Sequence, residues 1–137
     1  MRNLADIAKP VQLIAPISMT ATVTGTGQSV IAGSQQDAVA IVSLGAVSGA
    51  PSATSVIVTI EESDAVGGTY TTNATFATAT AGGQVGTKEI TIKPTKPFLR
   101  AVVTIAFTGG TTPAIVAGVD LLVRKIVATD SNEVALA

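Results

Sequence analysis

A chain of 137 residues sits within the usual range for one domain and leaves little room for a second core. Its formal net charge of -1, with no long run of either sign, offers none of the basic stripe that a nucleic-acid binder presents. Cys and His are both absent, which removes disulfides, thiolate ligands, most zinc sites and the Ser-His and Cys-His pairings of nucleophilic catalysis.

Hydrophobic residues make up 47% of the chain, but they are mostly Ala, Val and Ile, with three Phe, one Tyr and no Trp. The core is therefore built from many small side chains, each burying little area at roughly 25 cal/mol per Å², so association with a neighbour is expected. Charged residues are 12% of the chain, about half the share typical of soluble domains. The surface must be largely Thr, Ser, Gly and Ala, which suits packing against other protein.

In chain order, the first stretch places Leu4, Ile7 and Ala8 at near-helical spacing, but Pro10 and Pro16 stop a helix of useful length. Arg2, Asp6, Lys9 and Pro10 interrupt the apolar run a secretory signal would need, and no window reaches the roughly 18 to 20 apolar residues of a membrane span. A soluble chain without membrane contact is expected. Residues 1–17 read as an N-terminal arm whose Leu4, Ile7, Val11, Leu13 and Ile14 are candidate partner contacts, with no obvious place in a domain that begins near Ser18. Deleting residues 1–14 is then expected to leave the domain folded.

From Ser18 the pattern turns to period two, with Met19, Ala21 and Val23 on one side and Thr20, Thr22 and Thr24 on the other, as a half-buried strand requires. Val39 to Leu44 is a short apolar run. Ser55 to Glu61 sets Val56, Val58 and Ile60 against Ile57, Thr59 and Glu61, and the turn types Ser63, Asp64, Gly67 and Gly68 lead into a Thr-rich strand over Thr69 to Phe76. A β-hairpin is the simplest reading. Thr87 to Ile92 follows with Ile90 and Ile92 inward, closed by Pro94 and Pro97.

The strongest strand is Phe98 to Phe107, with Leu99, Ala101, Val103, Ile105 and Phe107 on one face. Phe98 points away from that set, so it is a candidate interface anchor or a strand-start residue packed on Pro97. After Gly109 and Gly110, the segment from Pro113 to Lys125 turns Ile115, Ala117, Val119, Leu121 and Val123 inward. About seven strands with frequent turns and no helix predict an all-β fold, a single antiparallel β-sandwich of immunoglobulin-like or jelly-roll-like type over residues 18–126, with a C-terminal arm over 127–137.

Chemistry has few places to sit. A Ser18 and Lys9 pair is formally available, but nothing in the spacing favours it. The carboxylates Glu61, Glu62 and Asp64 could hold calcium, yet a strand end followed by a turn accounts for them, and no EF-hand spacing is present. The glycine pairs near Gly67, Gly82 and Gly109 follow no strand-to-helix pattern of a phosphate loop. No enzyme activity, cofactor, metal or small-molecule substrate is expected.

The stretch E-E-S-D-A-V-G-G-T-Y over Glu61 to Tyr70 resembles the hairpin of small tailed-bacteriophage virion proteins. In these, a V-x-V-x-I-x-E-S-D segment precedes a late K-x-F/Y-L/I-R-V strand and a final apolar strand. The counterparts are Val56 to Asp64, then Lys96, Phe98, Leu99, Arg100, Ala101 and Val102, then Ile115 to Lys125. Tyr70 stands where Trp is common, and Ala101 follows the Arg. The resemblance covers roughly residues 18 to 125. It implies a β-sandwich virion component of capsid decoration or cement type and no catalytic residues. The expected partners are the major capsid protein and the chain itself, as a small homo-oligomer such as a trimer, on the capsid surface after assembly in the host cytoplasm. A tail or head-completion protein and an immunoglobulin-like binding module are the alternatives.

Overall fold

The computed structural model describes residues 8–30 and 36–124. Nine strands follow one another: β1 (Ala8–Met19), β2 (Val23–Thr24), β3 (Gln28–Ser29), β4 (Gln36–Ser48), β5 (Ala53–Ser63), β6 (Thr71–Thr75), β7 (Gln84–Ile92), β8 (Phe98–Thr108) and β9 (Ala114–Arg124). Among the described residues there is no helix. One sheet has the order β1-β9-β4-β7, and the other the order β2-β8-β5-β6 with β3 also on β8. Every pairing is antiparallel. The two sheets pack as a β-sandwich.

Alternation explains the packing. Along β9 the inward positions Ile115, Ala117, Val119, Leu121 and Val123 are all buried, as are Ala38, Ala40, Val42 and Leu44 on β4 beside it. The opposing sheet contributes Val56, Val58 and Ile60 from β5 and Leu99, Ala101 and Val103 from β8. Period two along a pleated strand sends alternate side chains to one face, so local pattern and global core agree here residue by residue. The expected hairpin over Ser55 to Phe76 forms as β5 and β6, with Glu62 opposite Thr71 and Thr59 opposite Thr75.

The N-terminal segment departs from expectation. Residues 8–17 are not an arm: they belong to β1, which runs along β9 from Ala8 opposite Arg124 to Met19 opposite Ile115. Leu13 and Ile14 are core residues, 4% and 7% exposed, and Val11 packs against the same cluster. The reason the segment does not look like a strand is that its register shifts twice, between Gln12 and Ile14 and between Ile14 and Ile17. A bulge breaks the alternation and lets consecutive residues turn inward. Pro10 and Pro16, which exclude a helix, are tolerated because β1 is an edge strand with hydrogen-bond partners on one side only. Leu4 and Ile7, and the C-terminal arm, lie outside the described residues.

The single strand expected from Ser18 to Thr24 is likewise divided. Its start ends β1 in the first sheet, a bend follows at Thr20 and Ala21, and Val23–Thr24 pairs with Val103 and Val102 of β8 in the second sheet. The chain crosses between sheets where alternation alone shows a continuous strand.

Removing Leu13 therefore opens a cavity in the core instead of trimming an arm. Leu13→Ala is expected to cost about 2–5 kcal/mol, read as a shift in the urea midpoint at unchanged slope, and deletion of residues 1–14 is expected to destabilise the domain. Val103→Asp, which buries an unpaired charge at a position 0% exposed, is expected to prevent folding, visible as loss of the strand signal in circular dichroism.

Candidate functional site

The segments Val56 to Asp64 and Lys96 to Val102 are brought together by the fold. Strand β5 pairs with β8 so that Ile60 faces Ala101, Glu61 faces Arg100, Glu62 faces Leu99 and Ser63 faces Phe98. The polar residues of both segments meet at one end of the sandwich, where β6 starts and β7 ends.

Alternation divides the three carboxylates. Glu61 points outward and accepts a bond from Arg100 Nε at 2.7 Å. The Arg100 guanidinium lies 3.9 Å from the centroid of the Tyr70 ring, a cation–π contact that holds the side chain between a carboxylate and an aromatic face. Tyr70 in turn donates its hydroxyl to the Val66 carbonyl at 2.9 Å, closing the hairpin tip onto itself. Gly27, in the connection between β2 and β3, lies against that hydroxyl so closely that any Cβ would overlap it. A glycine is the residue this approach permits.

Glu62 continues the inward series after Val56, Val58 and Ile60, and it is buried. Its Oε1 accepts from Lys93 Nζ at 2.7 Å and its Oε2 from Asn73 Nδ2 at 2.8 Å. Asn73 also donates to the Thr91 carbonyl on β7 at 2.9 Å, so one amide connects β5, β6 and the end of β7. Burial alone raises the pKa of the Glu62 carboxyl, but the bonds from Lys93 and Asn73 and the charges of Lys93 and Lys96 outweigh it and hold the group below its ordinary value. The buried carboxylate is thus a fastening between the two sheets.

Asp64 is exposed, and it accepts a long 3.5 Å bond from the Ser63 hydroxyl, which itself accepts from the Ala65 amide at 3.3 Å. The three carboxylates diverge to separate partners. Among the described residues no group of three or more Asp or Glu is placed to hold a metal ion. Lys96 donates to the Thr71 hydroxyl at 3.0 Å, and Phe98 is half-buried at the start of β8, paired with Ser63 on one side and Ser29 on the other.

Elsewhere, an apolar groove of about 80 Å³ opens between the sheets beside β7, lined by Val42, Leu44, Val56, Val58, Phe76 and Gln84 among others. Its volume is far below the roughly 300–1,000 Å³ of a substrate pocket. No protein-family model and no curated protein matches this chain.

Sequence reasoning located Glu61, Glu62 and Arg100 but missed what they do. The available signal was parity, because a carboxylate at the inward position after Ile60 needs a buried partner. Its partners Asn73 and Lys93 are separated from it by 11 and 31 residues, so nothing local names them.

Because the folded-state pKa of Glu62 lies below the unfolded one, the folded protein binds fewer protons there. The contribution of Glu62 to stability is complete above the ordinary value of 4.5 and is lost as pH falls through the lower folded value. In Glu62→Gln the acid limb of the stability curve below about pH 4.5 should flatten relative to the parent, as measured by urea midpoints across pH.

Proposed function

We propose that this chain is a structural virion protein of a tailed phage, a decoration or cement subunit that binds the outer capsid surface and stabilises contacts between capsomers. The observation that carries the reading is that the E-E-S-D hairpin and the K-x-F-L-R strand form one physical unit. The glutamates of the first segment are in register with the start of the second, and Glu61 is bonded to Arg100. A motif whose parts interlock in this way is a fold-defining fastening, and its residues are spent on structure: each described carboxylate of the hairpin has a protein partner.

Composition supports the same role. A small, weakly charged sandwich whose surface is rich in Thr, Ser, Gly and Ala can be packed closely against other protein at little desolvation cost. The partners in this reading are the major capsid protein and further copies of the chain.

Copy number tests it. In purified particles of the virus that encodes the chain, gel densitometry is expected to show the protein at a stoichiometry comparable to the major capsid protein. A few copies per particle would instead mark a tail or head-completion part, and absence from particles would reject a virion role.

A further inference from the structure

The Glu62 site holds a combination of groups that a fastening alone does not require. One buried carboxylate carries a primary amine on one oxygen and a primary amide on the other. Lys93 Nζ lies 2.7 Å from Glu62 Oε1, and Asn73 Nδ2 lies 2.8 Å from Glu62 Oε2. The Glu62 side chain is 2% exposed and that of Lys93 54% exposed. Amine and amide are therefore neighbours across one proton-accepting group, with solvent reaching the amine side. The ion pairs of Arg100 with Glu61 and of Arg124 with Asp37 carry a guanidinium instead, which stays protonated and cannot attack a carbonyl.

The backbone also singles out Asn73. On β6, Ala74 is opposite Ile60 and Thr72 is opposite Glu61, so Asn73 is the extra residue of a bulge, without a partner position on β5. A bulge re-aims a side chain, and bulges are over-represented beside active sites. Here the amide is aimed at the end of β7, and its nitrogen donates to Glu62 and, at 2.9 Å, to the Thr91 carbonyl. The ionised carboxylate and the carbonyl can only accept, which fixes the nitrogen of the amide as the atom that faces them.

We propose that Glu62, Asn73 and Lys93 form a self-modifying site that joins the side chains of Lys93 and Asn73 through an isopeptide bond. Glu62 takes a proton from Lys93 Nζ, and the neutral amine attacks Asn73 Cγ. The Nζ–Cγ bond forms and the Cγ–Nδ2 bond breaks, with Glu62 returning a proton to the departing Nδ2. One hydrogen stays on the new amide nitrogen and the others leave with Nδ2 as ammonium, so Glu62 ends as the carboxylate it was at the start. No oxidant, cofactor or water is consumed. One amide replaces another, and escape of ammonium into solvent drives the exchange forward. Holding both reactants on one carboxylate supplies the effective concentration that the same groups lack in solution.

The ion pair of Lys93 with Glu62 is then the unreacted state, and the pH dependence given above for Glu62 belongs to that state. The product ties β6 of one sheet to the residue that follows β7 of the other, converting a hydrogen-bonded fastening into a covalent one. It stands whether or not the chain is a virion protein.

The intact mass of the purified full-length chain, measured in denaturant, tests it. The folded parent, held at neutral pH, is expected to lose one ammonia, about 17 Da, and its digest to contain a branched peptide linking residues 73 and 93. Lys93→Arg keeps a positive charge beside Glu62 but no attacking amine, and Asn73→Ala removes the amide; both are expected to keep full mass. Glu62→Gln retains both reactants and is expected to slow the loss at least about tenfold, with circular dichroism checking its fold. Where a variant does not fold, the branched peptide of the parent decides. A succinimide at Asn73 loses the same mass, but it survives Lys93→Arg and yields no branched peptide. A parent that stays at full mass, an ammonia loss that survives Lys93→Arg, or equal rates in the parent and a folded Glu62→Gln would overturn the proposal.

Discussion

Burial of alternating small and β-branched side chains between two close sheets is the constraint on which the rest of the molecule depends. Val, Ile, Leu, Ala and Met supply the buried hydrophobic set, with Phe76 and Phe107 packed half-buried against it, so cohesion comes mainly from many modest contacts. Such a core tolerates no break in coverage. Every inward position on β4, β5, β8 and β9 must be filled, and the edges of both sheets must be closed by something other than bulk.

The edges are closed by different means. On the first sheet, β1 carries two register shifts and two prolines, both of which disfavour pairing with a further strand. At the opposite edge, β7 carries the exposed Lys88 across from Ala40, and a lysine on an edge strand opposes strand addition. On the second sheet the edge strands are short, with five residues in β6 and two each in β2 and β3. The Glu62, Asn73 and Lys93 cluster then fastens β5 and β6 to the end of β7, where the apolar core gives out.

These two features give the molecule its polarity. Among the described residues, the ion pairs of Glu61 and Glu62 stand at the end where the sheets are fastened by side chains. The other end is held by backbone bonds between uncharged loops and by the Ser48 and Ser52 hydroxyls, which donate to the Ala114 and Thr108 carbonyls. At the fastened end each hairpin carboxylate is engaged, Glu61 by Arg100, Glu62 by Lys93 and Asn73, and Asp64 by the turn it begins.

Local alternation determined which faces of β5, β7, β8 and β9 are buried, since period two is a property of consecutive residues and survives any choice of neighbour. It also determined the hairpin of β5 and β6, whose turn residues lie between its strands. Only the tertiary structure decided that residues 8–17 are a core-bearing edge strand. Bulges erase the alternation there, and proline reads as a breaker until the strand is known to need one row of bonds. Only the tertiary structure, too, joined Glu61 to Arg100 across 39 residues and Glu62 to Lys93 across 31. Pairing between distant strands is set by which sheets the chain enters, and no local spacing records that choice.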